Sequence, residues 1–155
     1  MRLIAVSRRA LVQSGEAAAV MAEAWQAQAL AQAVGSRLAV SGPPELRGQA
    51  LALTELAGRG CGVLDAAVLG TGAMRAAQLT ELGDTRETLL CLGALLGEVG
   101  IALVGVACAV NDEGTYWQCM EAIDAADESR DRVSEMLRLL VAQDQEVVKR
   151  RSAAG

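Results

Sequence analysis

The chain has 155 residues, 52% of them hydrophobic, which favours one folded domain over a disordered chain. It has no histidine, so an imidazole base, a Ser-His or Cys-His pair and histidine ligation of a metal are excluded. Its net charge of -5 argues against a broad nucleic-acid-binding face. Good helix formers dominate and strand formers are sparse, so we predict an all-α, single-domain bundle of about five to six helices.

The first predicted elements lie between Leu3 and Val40, as one long helix or as two with a break at Ser14-Gly15. Ser41-Gly42-Pro43-Pro44 ends this region, and its prolines suit the first turn of a second region that runs to about Ala57. The apolar run before Arg8 is too short for a signal peptide. A cytoplasmic protein is therefore expected.

Glycines interrupt the middle of the chain. Gly58-Arg59-Gly60-Cys61-Gly62 predicts a turn, because glycines so closely spaced disfavour a helix interior. Two short helices are predicted after this turn, over about 63–69 and 73–82. Gly70-Thr71-Gly72 separates them, and Gly83 is predicted to cap the second.

The most distinctive segment is 89–110, LLCLGALLGEVGIALVGVACAV, in which Glu98 is the only charged residue. It is long enough to span a membrane, and Gly93-x-x-x-Gly97 matches a close-packing motif of membrane helices. However, the chain holds no second such segment, its flanks are acidic and its N-terminal end has no aromatic belt. We therefore predict the central helix of the bundle, opened by a cap at Asp84-Thr85-Arg86-Glu87, and expect no membrane span.

The final predicted helix runs from Thr115 to Val148, with Thr115 as the capping residue and Gln118 reaching back to it. Its apolar stripe weakens between Ala126 and Arg132, which leaves room for a kink or a separate helix. The predicted domain covers 1–150, and the tail 151–155 is expected to fray.

Glu98 is a candidate ligand-binding residue. A carboxylate buried alone is costly, so Glu98 should be paired, protonated or open to a cavity. It could pair with an arginine of another helix or lie on a narrow exposed strip. The arginines considered as partners are Arg37, Arg47, Arg59 and Arg75. A di-metal site in the bundle is disfavoured, because such sites usually need histidine.

An acidic run recurs at helical spacing in the last helix, beginning at Glu121. Such a face could bind Mg²⁺ and, through it, a phosphate ligand. A solvated helix face is the simpler interpretation, and no cofactor is predicted. The candidate metal ligands are Asp124, Asp127, Glu128 and Asp131.

The only aromatic residues are Trp25, Tyr116 and Trp117. They either close the ends of the core or serve as hot spots for a partner protein. The four cysteines have no CxxC spacing. Cys91 and Cys108 are expected to be buried and reduced within the apolar helix.

No catalytic constellation is visible, whereas alanine-rich helical stripes are abundant. The sequence therefore favours a non-enzymatic interaction or adaptor protein that docks to another protein or to itself. The alternative is a helical bundle that binds a small molecule, or a phosphate ligand with Mg²⁺, through Glu98 and the acidic helix. A membrane-associated protein is a third hypothesis.

Three stretches resemble a known family: 22–48, the segment GRGCGVLD at 58–65, and 96–133 with LGEVGIALVGVA and YWQCMEAIDAADESRDRV. The family consists of small uncharacterised helical proteins from Streptomyces and related actinobacteria. The resemblance implies a cytoplasmic protein of a sporulating, filamentous bacterium. It is compatible with an adaptor in development, cell division or chromosome segregation, and it supplies no catalytic residue.

Overall fold

The computed structural model describes residues 2–13, 15–68 and 74–155. Within these ranges the chain forms five α-helices and no strand. The helices are α1 (Arg2–Gln13), α2 (Ala17–Ser41), α3 (Arg47–Val68), α4 (Thr85–Ala109) and α5 (Glu113–Ala154). Short 3₁₀ helices span Pro44–Leu46 and Arg75–Gln78. The prediction of a single all-α domain with a central apolar helix is confirmed.

Four helices form a ring in the order α2, α3, α5, α4, and α1 packs against α2 and α4. Two hydrogen bonds show that α5 runs antiparallel to α3. Arg132 near the middle of α5 donates to Gln49 at the start of α3, and Gln118 at the start of α5 donates to the carbonyl of Val63 near the end of α3. The core between the helices is built from leucine, alanine and a few larger side chains such as Met136.

The predicted boundaries around α2 and α4 are confirmed. α1 ends at Gln13 and α2 begins at Ala17, on either side of the predicted break, of which Ser14 lies outside the described residues. α2 ends at Ser41, where the N–H of Gly42 donates to Leu38 O at 3.0 Å. Asp84 caps α4, and its carboxylate accepts from the N–H of Glu87 at 3.4 Å.

The predicted turn at Gly58–Gly62 is wrong, because α3 passes through it without interruption. The glycines serve close packing. A Cβ at Gly58 would lie 2.9 Å from Nε2 of Gln32, and one at Gly60 would lie 2.6 Å from Nε2 of Gln28. Glutamine side chains of α2 therefore occupy the space that a side chain on α3 would need, and helix–helix contact outweighs the low helix propensity of glycine.

The region after α3 also differs from the prediction. The residues predicted as a helix over 63–69 belong, as far as Val68, to the last turns of α3. The separator Gly70-Thr71-Gly72 lies outside the described residues. Of the helix predicted over 73–82, the described part, 74–82, contains one 3₁₀ turn, Arg75–Gln78. Gly83 has φ +71° in the following connection, so it does not cap a helix but makes a turn that favours glycine.

The N-cap of α5 is Asp112 and not Thr115. The Asp112 carboxylate accepts from the backbone N–H of Thr115 at 2.8 Å and from its hydroxyl at 2.7 Å. These hydrogen bonds, the hydroxyl first, lower the pKa of Asp112 because they favour the charged carboxylate. The predicted role of Gln118 at the cap is also wrong, since its side chain reaches Val63 instead.

α5 is one continuous helix through the region where the sequence allowed a kink. Ala126 and Ser129 are fully buried there, so small residues continue the core-facing stripe that large apolar residues leave incomplete. α5 continues as far as Ala154. Fraying of 151–155 stays a prediction.

Candidate interaction surface

α4 carries two apolar faces. Its inner face contributes fully buried side chains, including Leu92, Leu96 and Leu103, to the core. Its outer face is also apolar but lies in solvent, where Leu90 is 55% exposed, Ile101 75% and Val104 48%. An exposed, contiguous apolar strip of this kind is typical of an interaction site.

The outer residues follow a heptad pattern, with steps of four and three residues in alternation. We call these six positions the outer seam, and they are Leu90, Ala94, Gly97, Ile101, Val104 and Cys108. They occupy what would be the a and d positions of a coiled coil, and none of them is polar or charged apart from the weakly polar thiol. Such a helix can therefore bury one face inside its own bundle and the other against a partner helix.

A groove of about 390 Å³ lies over the middle of the outer seam, four of whose residues line it, and extends from α4 to α5. Ile123, Asp127 and Arg130 line it from α5. The guanidinium of Arg130 lies over Gly97, with Cζ 3.3 Å from the place a Cβ would take. Asp127 is level with Gly100, with Oδ1 3.9 Å from the corresponding place. Among the described residues neither Asp127 nor Arg130 forms an ion pair.

Glu98 borders the same groove and is paired with an arginine of another helix. The partner is Arg8 of α1, whose Nη2 lies 2.6 Å from Oε1 of Glu98 and whose Nε lies 3.0 Å from Oε2. The pair is 45% and 35% exposed, and the hydrogen bond to Glu98 raises the pKa of Arg8. The expected interhelical ion pair is thus present, at the edge of the outer seam and not in the middle of the core.

None of the arginines considered from the sequence is the partner of Glu98. Arg37 donates to the carbonyl of Leu79 at 3.2 Å, and Arg75 forms an ion pair with Glu23. Arg8 was missed because sequence periodicity does not show that α1 packs alongside α4. Only the position of α1 in the bundle brings the two charges together.

The acidic run of α5 is exposed, and its members do not converge. Asp124, Glu128 and Asp131 lie in solvent, while Asp127 faces the groove that Glu98 also lines. Over the ranges that the structure describes, no three Asp, Glu, Cys or His side chains are grouped so that they could hold a metal ion.

The aromatic residues occupy two different settings. Trp25 is half-buried against the core, and its carbonyl accepts from the thiol of Cys61. Tyr116 and Trp117 lie near the start of α5, with ring centroids 5.3 Å apart in an edge-to-face arrangement, and they are 38% and 57% exposed. This exposed pair comes after the short connection between α4 and α5, beyond the end of the outer seam.

All four cysteines are free thiols. Cys91 is half-buried, but Cys108 is exposed, so the expectation that it is buried is wrong. The reason is its place on the outer seam, since an apolar helix sequence does not say which of its faces is covered. Cys119 is buried, and burial raises the pKa of its thiol.

Comparison with known proteins places most of the chain in one family. A family described as a family of unknown function (DUF6099) matches residues 1–139. The chain belongs to this family. No curated protein and no solved structure matches the chain significantly. The part that matches DUF6099 contains α1 to α4, the whole outer seam and the first two thirds of α5.

α4 is also the one helix in the described ranges that is long and apolar enough to cross a membrane, with a mean hydropathy of 2.3 over its most apolar window. The inner helix of a soluble protein meets the same criteria, and 44% of this window is buried within the bundle. Length and composition are therefore a weak indication of a membrane span.

Sequence reasoning recognised α4 as apolar but missed its second face. The signal was present in the alternation of four- and three-residue steps from Leu90 to Cys108. Nearly every residue of the segment is apolar, on the core-facing side as well as on the outer side. The heptad pattern of the outer seam therefore does not stand out in the sequence.

Proposed function

We propose that this protein is a non-enzymatic interaction protein that binds another polypeptide through the outer seam of α4. The observation that carries the proposal is the exposure of an apolar heptad stripe on a helix whose opposite face is already buried in the core. Burying such a stripe against a partner helix removes apolar surface from water, at about 25 cal/mol per Å².

Charges at the rim of the seam support the same proposal. Glu98 with Arg8 borders one side, and Asp127 and Arg130 border the other. An apolar centre with charged residues at the rim is the usual composition of a protein–protein interface. The exposed pair Tyr116 and Trp117 is proposed as an additional contact near the end of the seam, because aromatic residues are frequent hot spots.

Location, lineage and biological role are further parts of the proposal. We place the protein in the cytoplasm of a streptomycete or related actinobacterium, where an adaptor in development, cell division or chromosome segregation would use this seam. These parts rest on the resemblance of 22–48, 58–65 and 96–133 to small helical actinobacterial proteins.

The proposal is tested by substituting Ile101, the most exposed large residue of the seam, with glutamate. The I101E chain should fold normally but lose association, in light scattering of the purified protein and in pull-downs from native cytosol analysed by mass spectrometry. The control is V40E, because Val40 is 89% exposed on α2 and lies outside the seam. If I101E retains every association of the wild type, the proposal is wrong.

A membrane partner is separated from a protein partner by the same variants. Flotation with lipid vesicles should recover no more wild-type protein than I101E. If vesicles bind the wild type and not I101E, and no protein associates with the seam, the outer seam is a membrane-binding face and the proposal fails.

The ligand alternative keeps one supporting observation, the groove beside Glu98. It predicts a rise in melting temperature with Mg²⁺ that is lost when Asp124 and Asp127 are both replaced by asparagine. An unchanged melting temperature with Mg²⁺ in the wild type removes the metal version of this alternative.

A further inference from the structure

We propose that the partner of the outer seam is a second copy of this chain, packed with its α4 antiparallel to the first. The inference rests on the proposed function, because it names the partner for the same seam. Two independent features of the seam lead to it, namely the sizes of its residues and the positions of two charges beside it.

The residue sizes favour an antiparallel pair. In an antiparallel coiled coil each a position faces a d position of the other helix. With the twofold axis level with Val99, Ile101 faces Gly97, Val104 faces Ala94 and Leu90 faces Cys108 of the second copy. Every layer then combines a larger side chain with a smaller one, which avoids large voids. Ile101 reaches Gly97 once the exposed Arg130 side chain, which lies over Gly97 in the single chain, turns aside.

A parallel pair would place each residue opposite itself. Gly97 would face Gly97 and Ala94 would face Ala94, leaving gaps, while the adjacent layers would each hold two isoleucines or two leucines. Uneven layers either create cavities or force the helices apart, and both reduce stability. The sequence of the seam is thus complementary to itself in one direction only.

The charges beside the seam agree with the same register. Arg130 is level with Gly97, and Asp127 is level with Gly100. A twofold axis at Val99 brings Arg130 of one copy to within about one residue, roughly 1.5 Å along the helix, of the level of Asp127 in the other. The two charges have no ion-pair partner among the described residues of one chain, and the antiparallel dimer supplies one for each.

The other rim of the seam is compatible with this arrangement. Glu98 approaches its own copy near the axis, which would be unfavourable for two free carboxylates. Each Glu98, however, is already neutralised by Arg8 of its own chain. The two ion pairs therefore meet as neutral units and do not oppose association.

The native Cys108 provides a direct test of direction and register. In the proposed dimer the residue opposite Cys108 is Leu90, so the L90C chain should form a covalent dimer under mild oxidation. The wild type should form no bond between its two Cys108 thiols, because these would lie at levels roughly 27 Å apart along α4. The control L90C/C108S should also stay uncrosslinked, which shows that the bond joins position 90 to Cys108.

The charge pairing is tested with two opposite variants. An R130E chain carries two acids on this rim, and a D127R chain carries two bases. In a dimer of identical variants like charges therefore face each other, so each variant alone should weaken dimerisation about tenfold or more. An equal mixture should restore a dimer that contains one chain of each kind, detected by native mass spectrometry. Both positions are exposed, and circular dichroism checks that the chains remain folded.

The outcomes separate this inference from the proposed function. A wild-type chain that stays monomeric at micromolar concentrations overturns the dimer, yet an I101E-sensitive protein partner would leave the proposed function standing. A wild type whose disulfide joins the two Cys108 thiols indicates a parallel pair and overturns the register. If the dimer persists in I101E, its interface lies elsewhere on the molecule. That result contradicts the inference that two copies associate through the outer seam.

Discussion

Glycines are frequent both where α3 packs on α2 and on α4, but they are used differently in the two regions. On α2 and α3 the space beside Gly35, Gly58 and Gly60 is occupied by atoms of the facing helix, at 2.6–2.9 Å from a Cβ placed there. On α4, Gly105 has nothing within 4 Å. A glycine in a helix therefore indicates close packing only where a neighbour fills the space.

The two regions differ in whether a neighbouring helix of the same chain covers them. The contact of α2 with α3 is complete within one chain, so its glycines allow the backbones to approach. The outer face of α4 is open within one chain, and its apolar residues remain in water. A substitution that adds a small group should therefore be harmful at Gly35, Gly58 or Gly60 and harmless to folding at Gly105.

The largest effect is expected at Gly35. A side chain there would lie 2.9 Å from the carbonyl oxygen of Ala50 and 2.6 Å from the hydroxyl of Thr54. Since backbone cannot move aside cheaply, G35V should lower the free energy of unfolding by about 3 kcal/mol, measured by urea denaturation. The control is G62V on α3, where nothing lies within 4 Å. Equal losses in both variants would contradict the packing explanation.

A smaller loss is expected from a buried hydrogen bond between α5 and α2. The hydroxyl of Ser129 donates to Oε1 of Gln28 at 2.9 Å, and both residues are almost completely buried. S129A leaves the Gln28 oxygen without this donor and should cost about 1–2 kcal/mol in urea denaturation. S134A, at an exposed position of the same helix, should change stability little. A neutral S129A would show that another group satisfies Gln28.

A modest gain is expected on the open side of α4. G105A adds a methyl group to a helix interior without a steric clash and should raise the free energy of unfolding by about 0.5–1 kcal/mol. The measurement is made in the I101E background, so that association does not contribute. A loss of stability in that background would mean that the space beside Gly105 is filled in the folded monomer.

The smallest effect is expected at the start of α5, beyond the seam. The pKa of Asp112 is lowered in the folded protein, so its contribution to stability is present above the unfolded value near 3.8 and is lost as the pH falls through the lower folded value. D112A should therefore have a lower melting temperature than the wild type at neutral pH. The difference between the two melting temperatures should become smaller as the pH is lowered. E16A is the control, because Glu16 at the start of α2 makes no side-chain capping bond. A difference in melting temperature that stays constant with pH would show that the Asp112 carboxylate does not cause it.

Local features of the chain could be predicted well from the sequence. The helix end at Ser41 follows from Gly42 and the two prolines, and the start of α4 follows from the acidic cap at Asp84. These signals act within one turn of the backbone, so they do not depend on the rest of the fold. The cap at Asp112 was missed because Asp112 and Thr115 are both good capping residues and lie within one turn of each other.

The candidate site was predictable only in part. Glu98 was recognised as a charge that needs a partner, but the identity of Arg8 depends on the placement of α1 against α4. The sequence does not distinguish Trp25 from Tyr116 and Trp117, yet only the last two are exposed together. Which side of an apolar helix meets solvent is decided by its neighbours, and its own residues carry little information about them.

The sequence by itself determined the fold class, the absence of histidine chemistry and the boundaries around α2 and α4, because composition and local hydrogen bonding act over short stretches of chain. Tertiary structure decided the rest. It turned the Gly58–Gly62 stretch into helix by packing glutamine side chains against it, and it brought Arg8 to Glu98. It also left one apolar face of α4 uncovered, because α1, α2 and α5 together enclose only the other side.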